Sequence, residues 1–268
     1  MLMGLRDLAL VIIVQLSDAF LTNNVTFSLG ETKALASISG PIEVRLAAEN
    51  PSRATFEVSV RPLSNVPGTD AKSLSYTMRS LMSPSIILTQ NPRTLLQLVV
   101  QSLTPSFTTM FQPSLVAAMI NASSLALLNA GSIQMRGVVC AVSVGRVLSS
   151  SKLSSRLILD PNEKEFASLD TGGCFAFMFT SPGVQVVWNN WHSSSSSFSE
   201  DDLQSAINLA LRGAKSVWAA MKASVGTMGA RKVILTTGSI VDSDEVDNSD
   251  DEESKDIGDE IDDDKMEI

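Results

Sequence analysis

The chain is short of aromatic residues, histidine and cysteine, and each shortage removes a class of function. Aromatics make up 5% of its 268 residues, with one tyrosine, one histidine and two cysteines. A single histidine, His192, and no Cys-x-x-Cys pair exclude a zinc site built from the usual nitrogen and sulfur ligands. Cys140 and Cys174 both sit inside apolar runs, so they read as buried free thiols of a reducing compartment rather than a disulfide framework. No Gly-x-Ser-x-Gly, Walker or dinucleotide fingerprint occurs. His192 lies beside tryptophan and a serine run with no nucleophile motif nearby, and reads as a surface or packing residue. The apolar run Leu8–Val14 is too short to span a bilayer. It has the length of a signal-peptide core, yet Asp7 precedes it, Arg6 alone supplies the basic flank, and no small-x-small cleavage site follows cleanly. A secreted or membrane-associated protein would rest on that run alone. Residues 1–24 are left as an unassigned N-terminal segment.

Charge is unevenly placed. The formal net charge is -9, but Val241–Ile268 holds 15 acidic residues and two lysines, a net of -13. The first 240 residues keep 18 basic against 14 acidic side chains, a net of +4. A mildly basic body therefore carries an acidic tail without aromatics, which cannot bury enough surface to order itself. Deleting that tail is expected to leave fold and assembly intact. An apolar fraction of 44% suffices for a core over residues 25–230.

From Val25 to Val60 the pattern is β. Phe56, Val58 and Val60 alternate with Glu57, Ser59 and Arg61, the mark of a half-buried strand. Pro62 and Asn65-Val66-Pro67-Gly68 end it. Leu74, Met78, Leu81 and Met82 recur at helical spacing. Thr94–Leu103 predicts a strand buried on both faces, and Ser114–Ala130 a helix closed by Gly131. That helix makes the Asn121-Ala122-Ser123 sequon a chance match, and Asn24-Val25-Thr26 is read the same way. Strands follow at Gly137–Val144, Arg156–Leu159, Gly173–Thr180 and Val184–Trp188. Ser199 predicts the cap of a last helix opening Glu200-Asp201-Asp202, with Leu203, Ile207, Leu211, Ala214 and Trp218 as its apolar stripe. The order predicts an α+β domain, helices packed against a mixed sheet.

Four stretches, in this order and spacing, carry a family resemblance. Gly30-Glu31-Thr32-Lys33-Ala34-Leu35 runs through a Gly40-Pro41-Ile42-Glu43 motif, read as strand, turn and strand. Ala54–Pro62 is followed by Pro67-Gly68; Asn91-Pro92-Arg93-Thr94 leads into Leu98–Gln101; Asn121–Gly131 forms the fourth. Together they resemble the RNase PH family of phosphorolytic ribonucleases over roughly residues 25–225, and within it the non-catalytic exosome component group. The resemblance implies the RNase PH fold, which is ribosomal protein S5 domain 2-like.

Phosphorolysis needs a cradle for inorganic phosphate and carboxylates beside the scissile bond. Active relatives carry Gly-Gly-Thr-Arg-Thr at the head of the central helix; the matching segment here is Gln112-Pro113-Ser114-Leu115-Val116, with Leu115 at the arginine position. The adjoining Ser106–Phe111 loop reads as longer and more apolar than in those relatives. Of two essential aspartates six apart, Asp160 matches the first and Phe166 stands at the second. Glu163 and Glu165 are the substitutes that a phosphorolytic exoribonuclease would have to use; otherwise Asp160 is a turn residue before Pro161.

The resemblance thus implies no catalytic residues, no metal and no cofactor. It implies a structural subunit of the eukaryotic RNA exosome, active in RNA processing and degradation in the nucleus, nucleolus and cytoplasm. Its partners would be other RNase PH-like subunits in a hetero-hexameric ring, cap subunits, a separate catalytic nuclease and single-stranded RNA, with no membrane. Arg93, Arg79 and Arg136 are the candidates for contact with RNA phosphates in the ring channel, their alternative being solvated faces or structural ion pairs. Trp188 and Trp191 could stack bases, but core or subunit-interface packing fits them better.

Overall fold

The computed structural model describes residues 13–16, 22–30, 32–64, 66–105, 112–148, 155–161, 165, 169–193 and 200–241. The chain divides after Thr227, and the second compact unit, residues 228–268, is described only as the helical stretch 228–241. The acidic tail, the loop at residues 106–111, Ser199 and the apolar run up to Ile12 lie outside the described residues.

The first sheet is mixed. β1 (Ile13–Leu16), β2 (Thr22–Leu29), β3 (Thr32–Glu43), β5 (Thr94–Ser102) and β4 (Thr55–Arg61) lie in that order. All pairs are antiparallel except β4 with β5. Antiparallel β2 and β3 need only a tight turn, which Gly30 supplies at φ +61°. Parallel β4 and β5 need a crossover, which α1 (Thr69–Met82) supplies. Leu74, Met78, Leu81 and Met82 are buried on one side of α1, as their spacing predicts, and Ala71 is buried with them.

Two expectations about this sheet are corrected. Gly40-Pro41 does not turn the chain: β3 runs through it, with a shift in pairing against β5 between Ser39 and Ile42. Gly40, at φ +137°, lets the backbone pass there, because a Cβ would lie 2.7 Å from the Leu95 carbonyl oxygen. β5 is also not buried on both faces: Leu96, Leu98, Val100 and Ser102 are buried, while Leu95, Gln97, Val99 and Gln101 are half-buried. An isolated apolar run cannot reveal that only one face is fully covered.

The second sheet is wholly antiparallel, in the order β7 (Ser155–Leu159), β6 (Val138–Leu148), β8 (Thr171–Thr180), β9 (Gly183–Ser193). Element order alone did not reveal that the strands divide between two sheets. Between them runs α2 (Pro113–Ala130), which packs on β2 and β3 of the first sheet and on β6 and β8 of the second. It is buried from Pro113 through Leu127, and Gly131 in the left-handed region at φ +66° closes it. Among the described residues it is the one helix long and apolar enough to cross a membrane, and here it is the core of the fold.

β7 pairs with β6 over Val144–Leu148, and among the described residues no strand pairs with the earlier half of that edge. Side chains of α2 complete it. Asn121 donates from Nδ2 to the Ala141 carbonyl and accepts from the Ala141 amide, both at 2.8 Å; Ser124 donates to the Val139 carbonyl at 2.5 Å. The buried sequon asparagine is thus a structural residue.

α3 spans Glu200–Val241, and its residues 202–221 pack on the second sheet. Its most buried line is Ala206, Ala210, Ala214, Val217 and Met221, and the expected Leu203, Ile207, Leu211 and Trp218 flank it, half-buried. Small alanines let the helix approach closely, which a hydrophobicity pattern weights too lightly. Trp218 stacks on Phe179 at 5.8 Å, and Met221 meets Cys140 sulfur to sulfur at 3.7 Å.

Candidate functional site

The sequence marks two places for function, the head of α2 and the arginines near the motif stretches. At the head of α2, Pro113 occupies the first turn, where its missing N–H removes one donor, and the Val116 amide bonds the Gln112 carbonyl. Leu115 is fully buried, so the position that resembles the phosphate-binding arginine is a core position here.

Asp160 sits against this helix head. Its backbone takes φ +51°, which a short polar side chain tolerates, and its amide donates to the Ser143 carbonyl at 2.9 Å. The Ser143 hydroxyl donates to Asp160 Oδ1 at 2.9 Å, and the Ser114 hydroxyl donates to the Pro161 carbonyl at 3.1 Å. The two serine oxygens lie 3.2 Å apart. Each hydroxyl has one proton, so these three contacts hold two hydrogen bonds at a time. Asp160 is therefore tied to β6 through Ser143, and Pro161 to α2 through Ser114. A carboxylate held beside the helix head opposes the binding of a second anion there. Ser143 and Ser114, both buried, were not singled out from the sequence; a serine in an apolar strand gives no signal until its partner is known. Glu163 and Phe166 lie outside the described residues, and Glu165 is half-buried.

The three candidate arginines are exposed and lie toward one end of the first sheet. Arg93 stands just before β5 in the left-handed region at φ +60°, its amide donating to the Asn50 carbonyl at 3.1 Å. Its side chain is 70% exposed, with Nε 3.3 Å from Glu49 Oε1. Arg79 is in the last turn of α1. The Arg136 amide bonds the Ser85 carbonyl at 2.7 Å, three residues past the end of α1. The Ile87 amide bonds the Gln134 carbonyl, joining the segment that leads to Arg93 with the loop that carries Arg136.

Other candidates are structural or peripheral. His192 is exposed at the end of β9, and Trp188 and Trp191 are half-buried, Trp191 packing on Phe175 at 5.6 Å. Cys140 and Cys174 are buried and unpaired, and burial pushes both thiols well above their ordinary value. Arg146, unremarked in the sequence, is the buried arginine of the second sheet. It donates to Asp170 at 2.8 Å, to Thr171 at 2.9 Å and to Asp202 at 2.6 Å.

Comparison with known proteins fits this geometry. Residues 23–132 match the 3' exoribonuclease family, domain 1, of RNase PH type. The "Exosome complex component rrp46" of Schizosaccharomyces pombe is 34% identical over 113 residues, covering 42% of this chain and 47% of that one. The match thus spans about half the length of that relative. The Saccharomyces cerevisiae component of the same name is 29% identical over 180 residues, 67% of this chain and 78% of the relative. The crystal structure of rice Rrp46 superposes with a TM-score of 0.68 at 24% identity, covering 81% of this chain and 93% of the rice one.

Proposed function

Because the chain carries an RNase PH domain and has the RNase PH fold, we propose that it is a non-catalytic subunit of the eukaryotic RNA exosome ring. In this reading it packs beside related RNase PH-like subunits in a hetero-hexamer. It helps enclose a channel that passes single-stranded RNA to a separate nuclease, with cap subunits above, in the nucleus, nucleolus and cytoplasm. Relatives named as exosome components support the assignment to that complex.

The observation that carries the loss of chemistry is the head of α2. Leu115 is buried where a phosphate-binding arginine would stand, and the Asp160 carboxylate is held by Ser143 beside the same turn. Phosphorolysis needs an anion cradle and its catalytic groups as a set, so one retained aspartate does not sustain it. Arg93, Arg79 and Arg136 are proposed to meet the RNA backbone.

The test is the complex purified through a tag on this chain, supplied with single-stranded RNA and inorganic phosphate. Asp160→Asn is expected to assemble and to leave RNA turnover unchanged. Release of nucleoside diphosphates that disappears in Asp160→Asn, with the complex intact, would establish instead a phosphorolytic exoribonuclease using Asp160 with Glu163 or Glu165.

A further inference from the structure

The excess positive charge of the body gathers at one end of the first sheet. Pairing of Glu43 with Thr94 and of Thr55 with Leu95 puts the end of β3 and the starts of β4 and β5 together. Arg45 and Arg53 leave the loop between β3 and β4 at that end, and both are exposed. Arg93 enters β5 there, and the crossover brings the last turn of α1, with Arg79, back to the same end. Arg136 follows through its bond to Ser85. Against five arginines stand Glu43, exposed, and Glu49, which pairs with Arg93. Among the described residues, the side chains of Arg45, Arg53, Arg79 and Arg136 form no ion pair.

The loops that carry them are cross-tied. Asn50 Oδ1 accepts from the Ser52 amide and hydroxyl, forming a side-chain turn just before Arg53. The Asn50 carbonyl accepts from Arg93, the Ala48 carbonyl from the Thr55 hydroxyl, and the Leu88 carbonyl from the Ala54 amide. These bonds fix the backbone from which the cations project, while the exposed arginine side chains keep their rotamer freedom. Residues 44–54, 83–94 and 131–137 contain no aromatic side chain, and Leu46 is the strongly exposed apolar one. These loops can therefore contact phosphates but carry no ring on which to stack bases; Tyr76, exposed on α1 one turn before Arg79, lies outside them.

We infer that this loop end is a binding face for the phosphate backbone of single-stranded RNA, centred on Arg45, Arg53 and Arg93 and indifferent to base sequence. It rests on the exosome reading for the identity of the polyanion. It adds Arg45 and Arg53 to Arg93, Arg79 and Arg136.

The experiment compares Arg45→Ala/Arg53→Ala with Lys33→Ala/Lys72→Ala, an equal charge change toward the opposite end of the sheet. Each is carried by the tagged complex and titrated with single-stranded oligouridylate and oligoadenylate at several salt concentrations. The arginine variant is expected to stay in the complex, to lose affinity for both probes alike, and to lower the salt slope of log K by ~1.4, two phosphate contacts on a single strand. The lysine variant is expected to match the wild type. An unchanged slope in an intact complex overturns the binding face and leaves the exosome reading standing. Loss of the arginine variant alone from the complex also overturns it, making the face a subunit contact. Should the wild-type chain recover no RNase PH-like partner, the exosome reading fails. The same titration on the purified chain then decides the face by itself.

Discussion

Arg146 and Asp202 meet across the junction of β6 and α3, with Nη1 2.6 Å from Oδ2. The arginine side chain is 7% exposed and the aspartate 33%, so the pair closes the start of α3 onto the second sheet from just beneath the surface. Asp170 and Thr171 take Nη2, at 2.8 and 2.9 Å. Asp202 also lies in the acidic first turn of α3, where the helix dipole favours it.

Removing the cation takes the Arg146 counter-charge away from Asp170 and Asp202. Arg146→Met is expected to cost about 3 kcal/mol, the range for breaking a buried pair from one side. Asp202→Asn, whose partner keeps Asp170, should cost about 1 kcal/mol. Urea denaturation followed by circular dichroism checks both, and equal costs would contradict this division.

Asn121 completes the edge of β6. Asn121→Leu fits an apolar helix yet strands the Ala141 amide and carbonyl, an expected loss of about 3 kcal/mol. Ser124→Ala frees the Val139 carbonyl alone and should cost less. The same denaturation measurement ranks them, and a stabilising Asn121→Leu would refute the role.

Gly40→Ala places a methyl group 2.7 Å from the Leu95 carbonyl at a φ that alanine avoids. Strain and overpacking together should cost about 3 kcal/mol. Gly131→Ala, with open space around it, carries the φ penalty alone, about 1 kcal/mol. A larger loss at Gly131 would be the wrong order.

Leu115→Arg combined with Phe166→Asp restores two residue types of active relatives. No phosphorolysis is expected, because the glycines of the cradle are missing and Asp160 remains held beside the helix head. Leu115→Arg alone buries an unpaired charge and should lower stability by several kcal/mol, on the order of 3–5. Nucleoside diphosphate release from the folded double variant would show that two residues suffice.

Cys140 and Cys174 should resist thiol reagents at pH 8. The thiolate is the nucleophile, and burial raises both thiols above their ordinary range, so the reactive form is scarce below it. Both should react once denaturant is added. Rapid labelling of the native chain by a chromogenic disulfide would contradict their burial.

Much of the fold was legible because it is written in local periodicity and turn chemistry. The spacing of Leu74, Met78, Leu81 and Met82 marks α1, Gly131 marks the end of α2, and the order of the Gly30–Val44, Ala54–Pro62, Asn91–Gln101 and Asn121–Gly131 stretches carries the resemblance to the RNase PH family. Leu115 at the arginine position also needed no coordinates. What only the tertiary structure decided concerns partners distant in the chain. A glycine-proline pair reads as a turn until β5 is seen beside it, passing so close to Gly40 that only a residue without a side chain fits. A serine in a strand is silent until Ser143 is found holding Asp160, and an arginine looks solvated until Arg146 is found between two aspartates 24 and 56 positions away. Helical and strand periods report which face of an element is apolar. Which hydrogen-bonding groups meet in the interior depends on packing distances that no local pattern contains.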